Sequence, residues 1–491
     1  MSLPRVGIRR RSVVRTPVAA RQPGYRLGGE VIAWTRDAAR SRFFVPALLL
    51  IAAFSLYVPR VTEPNKYLFD EILFAYTVGE YVDGNPDAYR WDHPCSVTKS
   101  TKRCAELYPE SERGNRTGKY QWAHPPLGKL VMAIGIISFG NDPFGWRIMS
   151  TVAGALGVVI AYLLGLVLTG RRSVGVLTAG LLLLDGLYFL YSRMGLVDIF
   201  LTLFTMATLL AFAWYLKTPP ERARTPLLVL GVVLGLSTAT KWSAAYGAFF
   251  IGLIVLWRML RLWRAGRRAK APAEVRSGLR QHLIWAPVAL VAIPLVEYLL
   301  AYLPFFLSGG NTWSDFVELQ KSILHLQTNL DDDPRTASRW WTWPLDLRSV
   351  WFGTRNYRDD RIGITYALGN PLLYWALVPA VVWTAIRWWK TRQDLALTVL
   401  LVGFFGQWLP WALVGRSSYL YHFLPAVPFG CLAVAATVVH LYETHPDWRR
   451  TLAIEYVVLV ALAFAFFYPV VSYYPLSDHA FEMRLWLSSW R

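Results

Sequence analysis

Two adjacent carboxylates, Asp70 and Glu71, follow the first long apolar run of this 491-residue chain. Other residues that could take part in chemistry are spread over later polar turns, and they are His124, Lys129, Arg147, Arg193, Asp198, Lys241, Arg416, Tyr421 and His422. A carboxylate can act as a general base on a hydroxyl group. Lysine and arginine can bind a phosphate and stabilise it as it leaves. Carboxylates that face cations beside a membrane therefore suit a reaction on a lipid-linked phosphate.

The elements that must position these residues are apolar helices. The chain is 54% hydrophobic and 15% aromatic, and apolar runs of membrane-spanning length recur along it. This pattern predicts an all-α polytopic membrane protein. Eleven spans are predicted: Phe43–Pro59, Ile148–Gly170, Ser173–Tyr191, Ile199–Leu216, Pro226–Thr240, Trp242–Trp257, Leu283–Leu307, Pro371–Ile386, Leu395–Val414, Phe423–Leu441 and Leu452–Val471.

The distribution of basic residues predicts the orientation. The segments 1–42, 171–172, 217–224, 258–280, 387–392 and 449–450 carry 28 lysines and arginines and alternate to one side of the eleven spans. That side is expected to be cytoplasmic, with the N-terminus inside and the C-terminus outside. The near-neutral loops 60–144 and 308–370 then face outward. Because the net charge of +19 is explained by topology, nucleic acid is not indicated as a partner.

Three regions follow from this topology: a basic tail over 1–42, a membrane domain over 43–471 and an outward-facing tail over 472–491. All of the candidate residues are expected near the outer face. Ionisable groups close to membrane depth are costly, so they are candidates for a functional role. The sequence has no phosphate-binding loop, no dinucleotide fingerprint and no metal-spaced His/Cys cluster, so neither a cofactor nor a soluble nucleotide donor is indicated. The run Asp331–Asp333 leaves a divalent metal possible, although a solvated loop is the favoured interpretation.

Five segments, in this order, resemble the protein O-mannosyltransferase family of the GT-C glycosyltransferase superfamily. They are Phe69–Phe74, His124–Lys129, Ser192-Arg193 with Asp198, Ser237–Trp242 and Tyr419–Pro425. The resemblance runs from about residue 43 to residue 471. It implies a GT-C bundle of about 11 transmembrane helices with two large outward-facing loops. The second loop is too short for the β-trefoil domain of eukaryotic members, as in bacterial members.

The resemblance also implies roles for single residues. Asp70 would be the base that deprotonates an acceptor hydroxyl, and Glu71 would orient the acceptor or the sugar. The lipid phosphate would be held by Arg147, with Lys241, Arg416 and Lys129 as further candidates. The sugar and acceptor site would be shaped by Asp198, Arg193, His124, Tyr421 and His422. The family's arginine-valine pair is replaced here by Arg416-Ser417, which leaves the role of Arg416 open.

The function implied is inverting transfer of mannose from a polyprenyl-phosphate donor to serine or threonine of secreted or membrane proteins. The expected location is the cytoplasmic membrane of a bacterium, with the active site on the outer face, among membrane lipids and near the translocon. One alternative is a related transferase with another lipid-linked sugar or with a lipid or glycan acceptor. A second alternative is a transporter or flippase of a lipid-linked sugar, although the chain lacks the internal repeat typical of transporters.

Structural roles remain open for several of these residues. Asp70-Glu71 could begin a solvated helix, Asp198 could cap a helix, and the cations could anchor helix ends at the membrane interface. Cys95 and Cys104 could form a disulfide in an oxidising compartment or remain free thiols. The tryptophans Trp340, Trp341 and Trp343 could belong to the interfacial belt or could contact sugar or peptide.

Overall fold

The computed structural model describes residues 29–490 except 94, 97–119, 269–271, 331–336, 358–360, 392–393 and 445–446, with side chains from Phe43 onward. The chain divides into a unit Met1–Ala47 and a unit Leu48–Arg491. The described helices are α1 Gly29–Tyr57, α2 Phe74–Val82, α3 Leu127–Phe139, α4 Pro143–Thr169, α5 Arg172–Leu183, α6 Gly186–Tyr191, α7 Asp198–Lys217, α8 Arg224–Thr238, α9 Ala244–Gly266, α10 Ala273–Pro287, α11 Ile293–Ala301, α12 Leu303–Leu307, α13 Trp313–Asn329, α14 Pro371–Thr391, α15 Leu395–Trp408, α16 Val427–Thr444, α17 Asp447–Val471 and α18 Asp478–Glu482.

Helices long and apolar enough to cross a membrane confirm the predicted class. Within the described residues there are eight: Pro143–Thr169, Asp198–Lys217, Ala244–Gly266, Ala273–Ala301, Pro371–Thr391, Leu395–Leu413, Leu420–Thr444 and Asp447–Val471. The other three predicted spans coincide with shorter apolar helices, namely Phe43–Tyr57, Arg172–Leu183 and Arg224–Thr238. The count of eleven spans and the orientation therefore stay predictions.

The third predicted span, Ser173–Tyr191, is not one continuous helix. Helix α5 ends at Leu183 and α6 begins at Gly186, with Asp185 between them as the N-cap that accepts a hydrogen bond from the amide of Tyr188. An aspartate at this position satisfies an otherwise unpaired amide, so the chain can bend here. Helix α6 leads directly into the turn at Ser192-Arg193.

Close packing of α4 against this turn fixes where the turn lies. A Cβ built on Gly154 would come within 2.2 Å of Ser192 Oγ, so any larger side chain there would displace the turn. The Tyr188 hydroxyl donates to the Gly154 carbonyl at 2.9 Å and joins the same two elements.

A small antiparallel sheet, formed by the region 308–370 and the C-terminal tail, was not part of the all-α prediction. Strand β1 covers Val350–Asn356, β2 covers Arg361–Ala367 and β3 covers Leu476–Ser477, in the order β1-β2-β3. A bulge between Trp351 and Gly353 shifts the register of β1 against β2. Strand β3 belongs to the predicted C-terminal tail, so this tail is tied to the outer loop.

Candidate active site

Glu71 and Arg147 form a fully buried ion pair. Arg147 Nε and Nη2 each donate to a different carboxylate oxygen of Glu71 at 2.7 Å. Glu71 also accepts from the amides of Leu68 at 2.9 Å and Gly195 at 2.8 Å. A buried pair with this many partners fixes geometry, and here it joins the carboxylate dipeptide, α4 and the turn after α6.

The remaining donors of Arg147 hold the linker that precedes the dipeptide. Its guanidinium donates to the carbonyls of Val61, Pro64 and Lys66 at 2.9, 3.2 and 3.0 Å. All of its N–H groups are thus directed to protein acceptors. The phosphate-holding role expected for Arg147 finds no support in this geometry, and that role stays a prediction.

Phe69 sets the direction of Asp70. Its φ of 47° lies in the left-handed region, which is strained for an aromatic residue and is typical of functional sites. The ring of Phe69 stacks on Phe352 of β1, with centroids 4.1 Å apart and an interplanar angle of 10°. The 3₁₀ turn Phe69–Ile72 therefore places Asp70 and Glu71 differently. Glu71 is buried in the protein, whereas Asp70 lines a cavity.

That cavity, called here the central cavity, has a volume of about 610 Å³. Seven of the eleven predicted non-cysteine site residues line it: Asp70, His124, Asp198, Lys241, Arg416, Tyr421 and His422. They come from segments spread over some 350 positions of the chain. The structure thus brings together the Asp70 turn, Asp198 and two cations, Lys241 and Arg416, around a space large enough for a sugar phosphate.

Asp198 and Lys241 form a second ion pair within the central cavity wall. Lys241 Nζ donates to Asp198 Oδ1 at 2.8 Å, and the two side chains remain 7% and 8% exposed. Asp198 begins α7, and Lys241 lies in the turn between α8 and α9. Lys241 Nζ also lies 5.9 Å from the ring centroid of Tyr421. This ammonium is therefore oriented by a carboxylate and an aromatic ring at the edge of the space.

Arg416 and His422 come from the turn between α15 and α16. Arg416 Nη2 lies 3.4 Å from His422 Nε2. His422 Nδ1 lies 3.0 Å from the amide of Tyr419, and its ring lies 4.1 Å from that of Trp411. The imidazole is thus fixed by backbone and aromatic contacts. It supports the guanidinium that lines the cavity.

His124 lies against Phe74 at the start of the segment that leads into α3. The two rings are parallel, with centroids 6.0 Å apart. Burial lowers the pKa of His124 well below its ordinary value, and the nearby charges of Lys241, Arg416 and Lys129 lower it further. The ring is therefore neutral at physiological pH and can accept or donate one hydrogen bond at the cavity wall.

Three predicted site residues lie elsewhere besides Glu71. Arg193 donates to the carbonyls of Tyr57 and Pro59 at 2.8 and 2.6 Å and so holds the end of α1. Arg147 lies in the buried pair described above. Lys129 donates to Tyr81 and to the Gln121 carbonyl. None of these cations lines the central cavity among the described residues, and their site roles stay predictions.

Lys129 differs from Arg147 and Lys241 in its electrostatic environment. Its ammonium lies 4.3 Å from the ring centroid of Trp122, and no carboxylate pairs with it among the described residues. Burial lowers the pKa of Lys129 from about 10.5 to about 7. The sequence left a Cys95–Cys104 disulfide and two free thiols as alternatives, and Cys104 lies outside the described residues. The third cysteine, Cys431, is a buried free thiol.

Sequence reasoning missed several residues of the cavity wall. Gln327 of α13, Phe352 of β1, Tyr419 and Trp490 all line it. Tyr419 lies within one of the five matching segments, but its side chain was not singled out. The others lie in the region 308–370 and in the tail, where no spacing pattern marks an inward-facing side chain.

A second cavity of about 440 Å³ adjoins the first and is called here the lipid groove. It shares His124, Lys241, Gln327 and Arg416 with the central cavity. The rest of its wall is mostly apolar and includes Tyr246, Tyr298, Leu324, Trp411, Leu413 and Val414. The side chain of Leu413 at this wall is 90% exposed. The lipid groove thus has a polar end at Lys241 and Arg416, where it meets the central cavity, and an apolar end that is open.

Comparisons with known proteins identify similar sequences. A family model described as dolichyl-phosphate-mannose-protein mannosyltransferase matches residues 132–308. A model of the C-terminal four-transmembrane region of protein-O-mannosyltransferase matches residues 312–490. The polyprenol-phosphate-mannose–protein mannosyltransferase of Mycobacterium tuberculosis is 29% identical over 428 residues, which are 75% of this chain and 81% of that protein.

Comparison with solved structures supports the predicted fold. The S. cerevisiae protein O-mannosyltransferase Pmt1-Pmt2 complex bound to the sugar donor matches with a TM-score of 0.73 and 15% identity, over 92% of this chain and 93% of that one. ArnT from Cupriavidus metallidurans bound to undecaprenyl phosphate matches with a TM-score of 0.53 and 16% identity, over 91% and 76%. The predicted GT-C fold is confirmed, and the chain is a multi-pass membrane member of the protein O-mannosyltransferase family.

Proposed function

We propose that this enzyme transfers mannose from a polyprenyl-phosphate donor to a serine or threonine hydroxyl of a protein. The proposal rests on the central cavity, whose wall includes Asp70, Lys241 and Arg416. The relatives are named for this reaction. The matched segments and the chemistry of the wall point the same way.

The donor binds across the central cavity and the lipid groove. Its phosphate lies at Lys241 and Arg416, the cations that both cavities share. Its isoprenoid chain follows the apolar side of the lipid groove past Leu413. Burial of such a chain against apolar side chains is favourable by roughly 25 cal/mol per Å² of buried apolar surface.

Asp70 acts as the general base. As the acceptor oxygen attacks the anomeric carbon, Asp70 takes its proton, the new C–O bond forms and the bond from that carbon to the phosphate oxygen breaks. The leaving phosphate keeps the electron pair, and Lys241 and Arg416 stabilise its added charge. Attack from the face opposite the phosphate inverts the configuration of the sugar.

Glu71 and Arg147 support this step without touching the substrate. Their buried pair holds the linker and the turn that carries Asp70. The strained backbone of Phe69 requires such support, because a conformation of this kind costs about 1–3 kcal/mol and persists only when its surroundings fix it.

The two cations neutralise the phosphate without a divalent metal in this proposal. Chelation with EDTA should therefore leave the transfer rate within about twofold, which corresponds to less than 0.5 kcal/mol in the barrier. Loss of activity that Mn²⁺ or Mg²⁺ restores would contradict it. The candidate run Asp331–Asp333 lies outside the described residues.

The expected setting is the cytoplasmic membrane of a bacterium, with the central cavity open to the outer face. Acceptors would be secreted or membrane proteins, which reach that face in extended form near the translocon. Mycobacterial relatives support the bacterial membrane, and the charge alternation of the sequence supports the orientation.

The test is a transfer assay in lipid with radiolabelled polyprenyl-phosphate-mannose and a Ser/Thr-rich peptide. Asp70→Asn should lower transfer by about 10²- to 10⁴-fold, the usual contribution of a general base. Asp92→Asn is the matched control, because Asp92 lies in the same loop, pairs with Arg90 and is absent from the central cavity wall.

The outcomes separate the alternatives. Peptide labelling that survives in Asp70→Asn would contradict the base assignment. Donor consumption without labelled peptide would favour a lipid or glycan acceptor. No consumption would favour another donor sugar first and a transporter of lipid-linked sugars next.

A further inference from the structure

A third cavity lies on the outer loops and is not explained by donor binding. It has a volume of about 1150 Å³ and is called here the outer groove. Its wall is formed by the end of α13, the segments 337–348 and 411–418, and Ser489. It shares Leu330 and Arg416 with the central cavity. Arg416 thus borders the central cavity, the lipid groove and the outer groove.

The chemistry of the outer groove differs from that of the lipid groove. The two grooves share Thr328, Trp411, Val414, Gly415 and Arg416. In the rest of the outer groove, hydroxyl and amide side chains are frequent, and they include those of Asn329, Ser338, Thr342, Ser417 and Ser418. The hydroxyls of Thr342 and Ser418 already donate to nearby carbonyls, so their oxygens offer acceptor sites to an occupant. An isoprenoid chain has no donor for such sites and would only displace water from them, which is unfavourable. An extended polypeptide carries free backbone amides and carbonyls that can pair with them.

Trp341 adds an aromatic surface to the same groove. Its side chain is 48% exposed although it is large and apolar. Half-exposed tryptophans of this kind are enriched where a protein binds another chain, because the ring gives a large contact area and its N–H remains available. The exposed ring therefore favours a polypeptide occupant over solvent alone.

The C-terminal tail separates the outer groove from the central cavity. Trp490 lines the central cavity and the preceding Ser489 lines the outer groove. Trp490 is 1% exposed, its Nε1 donates to the Asp346 carbonyl at 2.7 Å, and its own carbonyl accepts from Ser349 Oγ at 3.0 Å. These bonds fix the indole to the segment that leads into β1.

Further contacts hold the tail along its length. Strand β3 pairs with β2 at Ile362. Arg484 donates to the Phe466 carbonyl at 2.7 Å, and the ring of Trp486 lies 4.8 Å from that of Phe467 on α17. The tail is therefore an ordered wall between the two cavities and can determine what crosses from one to the other.

We propose that the outer groove binds the acceptor polypeptide and that Trp490 is a specificity-determining residue at its inner edge. This inference rests on the proposed function, since it names where that function's acceptor binds. The polypeptide lies in the groove against Trp341. One hydroxyl side chain passes Trp490 and Leu330 to reach Asp70, while bulkier side chains are held back.

The test measures transfer with the full-length protein in lipid, varying a Ser/Thr-rich peptide at saturating donor and then the reverse. Trp341→Ala should raise the KM for the peptide about tenfold, as truncation of an interface tryptophan commonly does, and leave the KM for the donor unchanged. Trp490→Phe keeps an aromatic ring in the wall and should change the relative kcat/KM for serine and threonine peptides at least about threefold. Trp448→Ala, at an exposed tryptophan on α17, is the control.

A cross-linking measurement does not depend on turnover. A photoreactive benzophenone amino acid at position 341 should cross-link the peptide in a manner that unlabelled peptide competes away, and the same amino acid at position 448 should not. Cross-linking to the lipid donor, or a raised donor KM in Trp341→Ala, would overturn the proposal. Failure of the wild-type protein to label any peptide would instead count against the proposed function, whereas wild-type transfer with an unchanged peptide KM in Trp341→Ala would count against the groove alone.

Discussion

Two ion pairs in this protein have the same chemistry and different surroundings. Glu71 and Arg147 are 0% exposed, and the donors of Arg147 go to protein acceptors. Asp198 and Lys241 are 7–8% exposed and line the central cavity. The first pair holds backbone segments in place, whereas the second presents a cation to a space. The first pair is therefore enclosed by protein, whereas the second has the access to the cavity that the proposed phosphate contact requires.

The largest expected effect is on stability. Glu71→Ala and Arg147→Ala should each lower the free energy of unfolding by about 3–5 kcal/mol, because each leaves a buried charge without its partner. Thermal unfolding in detergent measures this. A Glu71→Ala protein that unfolds like the wild type but has lost transfer would mean that Glu71 acts on the substrate, as the family resemblance implied.

Breaking the Asp198–Lys241 pair should affect transfer more than stability. Lys241→Ala should lower the rate of transfer about 10²- to 10³-fold, since it removes one cation from the leaving phosphate, with little change in thermal unfolding. Lys217→Ala is the matched control, because Lys217 is exposed at the end of α7. Equal losses in stability for Lys241→Ala and Arg147→Ala would remove the distinction between the pairs.

Arg416 tests whether geometry as well as charge matters at the phosphate. Arg416→Lys keeps the charge and loses the planar fork that can donate two bonds. We expect transfer to fall roughly ten- to a hundredfold, since a hydrogen bond to a charged group contributes about 1.5–3 kcal/mol. Steady-state kinetics against donor concentration measure the fall, and Arg450→Lys on the exposed end of α17 serves for comparison. An unchanged rate would assign the phosphate to Lys241 alone.

Lys129 extends the comparison to a buried cation that no carboxylate pairs with among the described residues. Its pKa of about 7 in the folded protein lies below the unfolded value near 10.5. Between these values the unfolded state binds more protons, so stability should rise with pH by at most about 1.4 kcal/mol per unit. Below pH 7 Lys129 is charged in both states, so the full free-energy cost of burying its charge applies. Unfolding measured from pH 7 to 10 should lose this slope in Lys129→Met, and a slope that persists there would assign it to another group.

The sequence predicted the helical bundle and seven of the residues that line the central cavity, because apolar runs and matched segments carry that information locally. Spacing alone could not show that Asp70 lines the cavity whereas Glu71 is buried. Their different surroundings depend on the left-handed conformation of Phe69 and on Arg147, which lies 76 positions from Glu71. Neither is visible in a pattern of spacing. The same holds for Arg193, whose partners at Tyr57 and Pro59 are backbone carbonyls.

The three-stranded sheet and the packing of the predicted tail were missed for a related reason. Strand β3 has two residues, and its pairing with β2 joins positions more than a hundred apart. Trp490 and Phe352 have neighbours that decide their direction only once the chain is folded. Short elements of this kind are defined by tertiary contacts and carry little propensity of their own.

The two guanidinium groups that hold the linker between α1 and Asp70 have a mechanical consequence. Arg193 holds the carbonyls at Tyr57 and Pro59, and Arg147 holds those at Val61, Pro64 and Lys66. The linker is therefore fixed to the turn after α6 and to α4, and Asp70 can shift only together with them. Because apolar helices tilt to match bilayer thickness, the catalytic rate should depend on the acyl-chain length of the surrounding lipid.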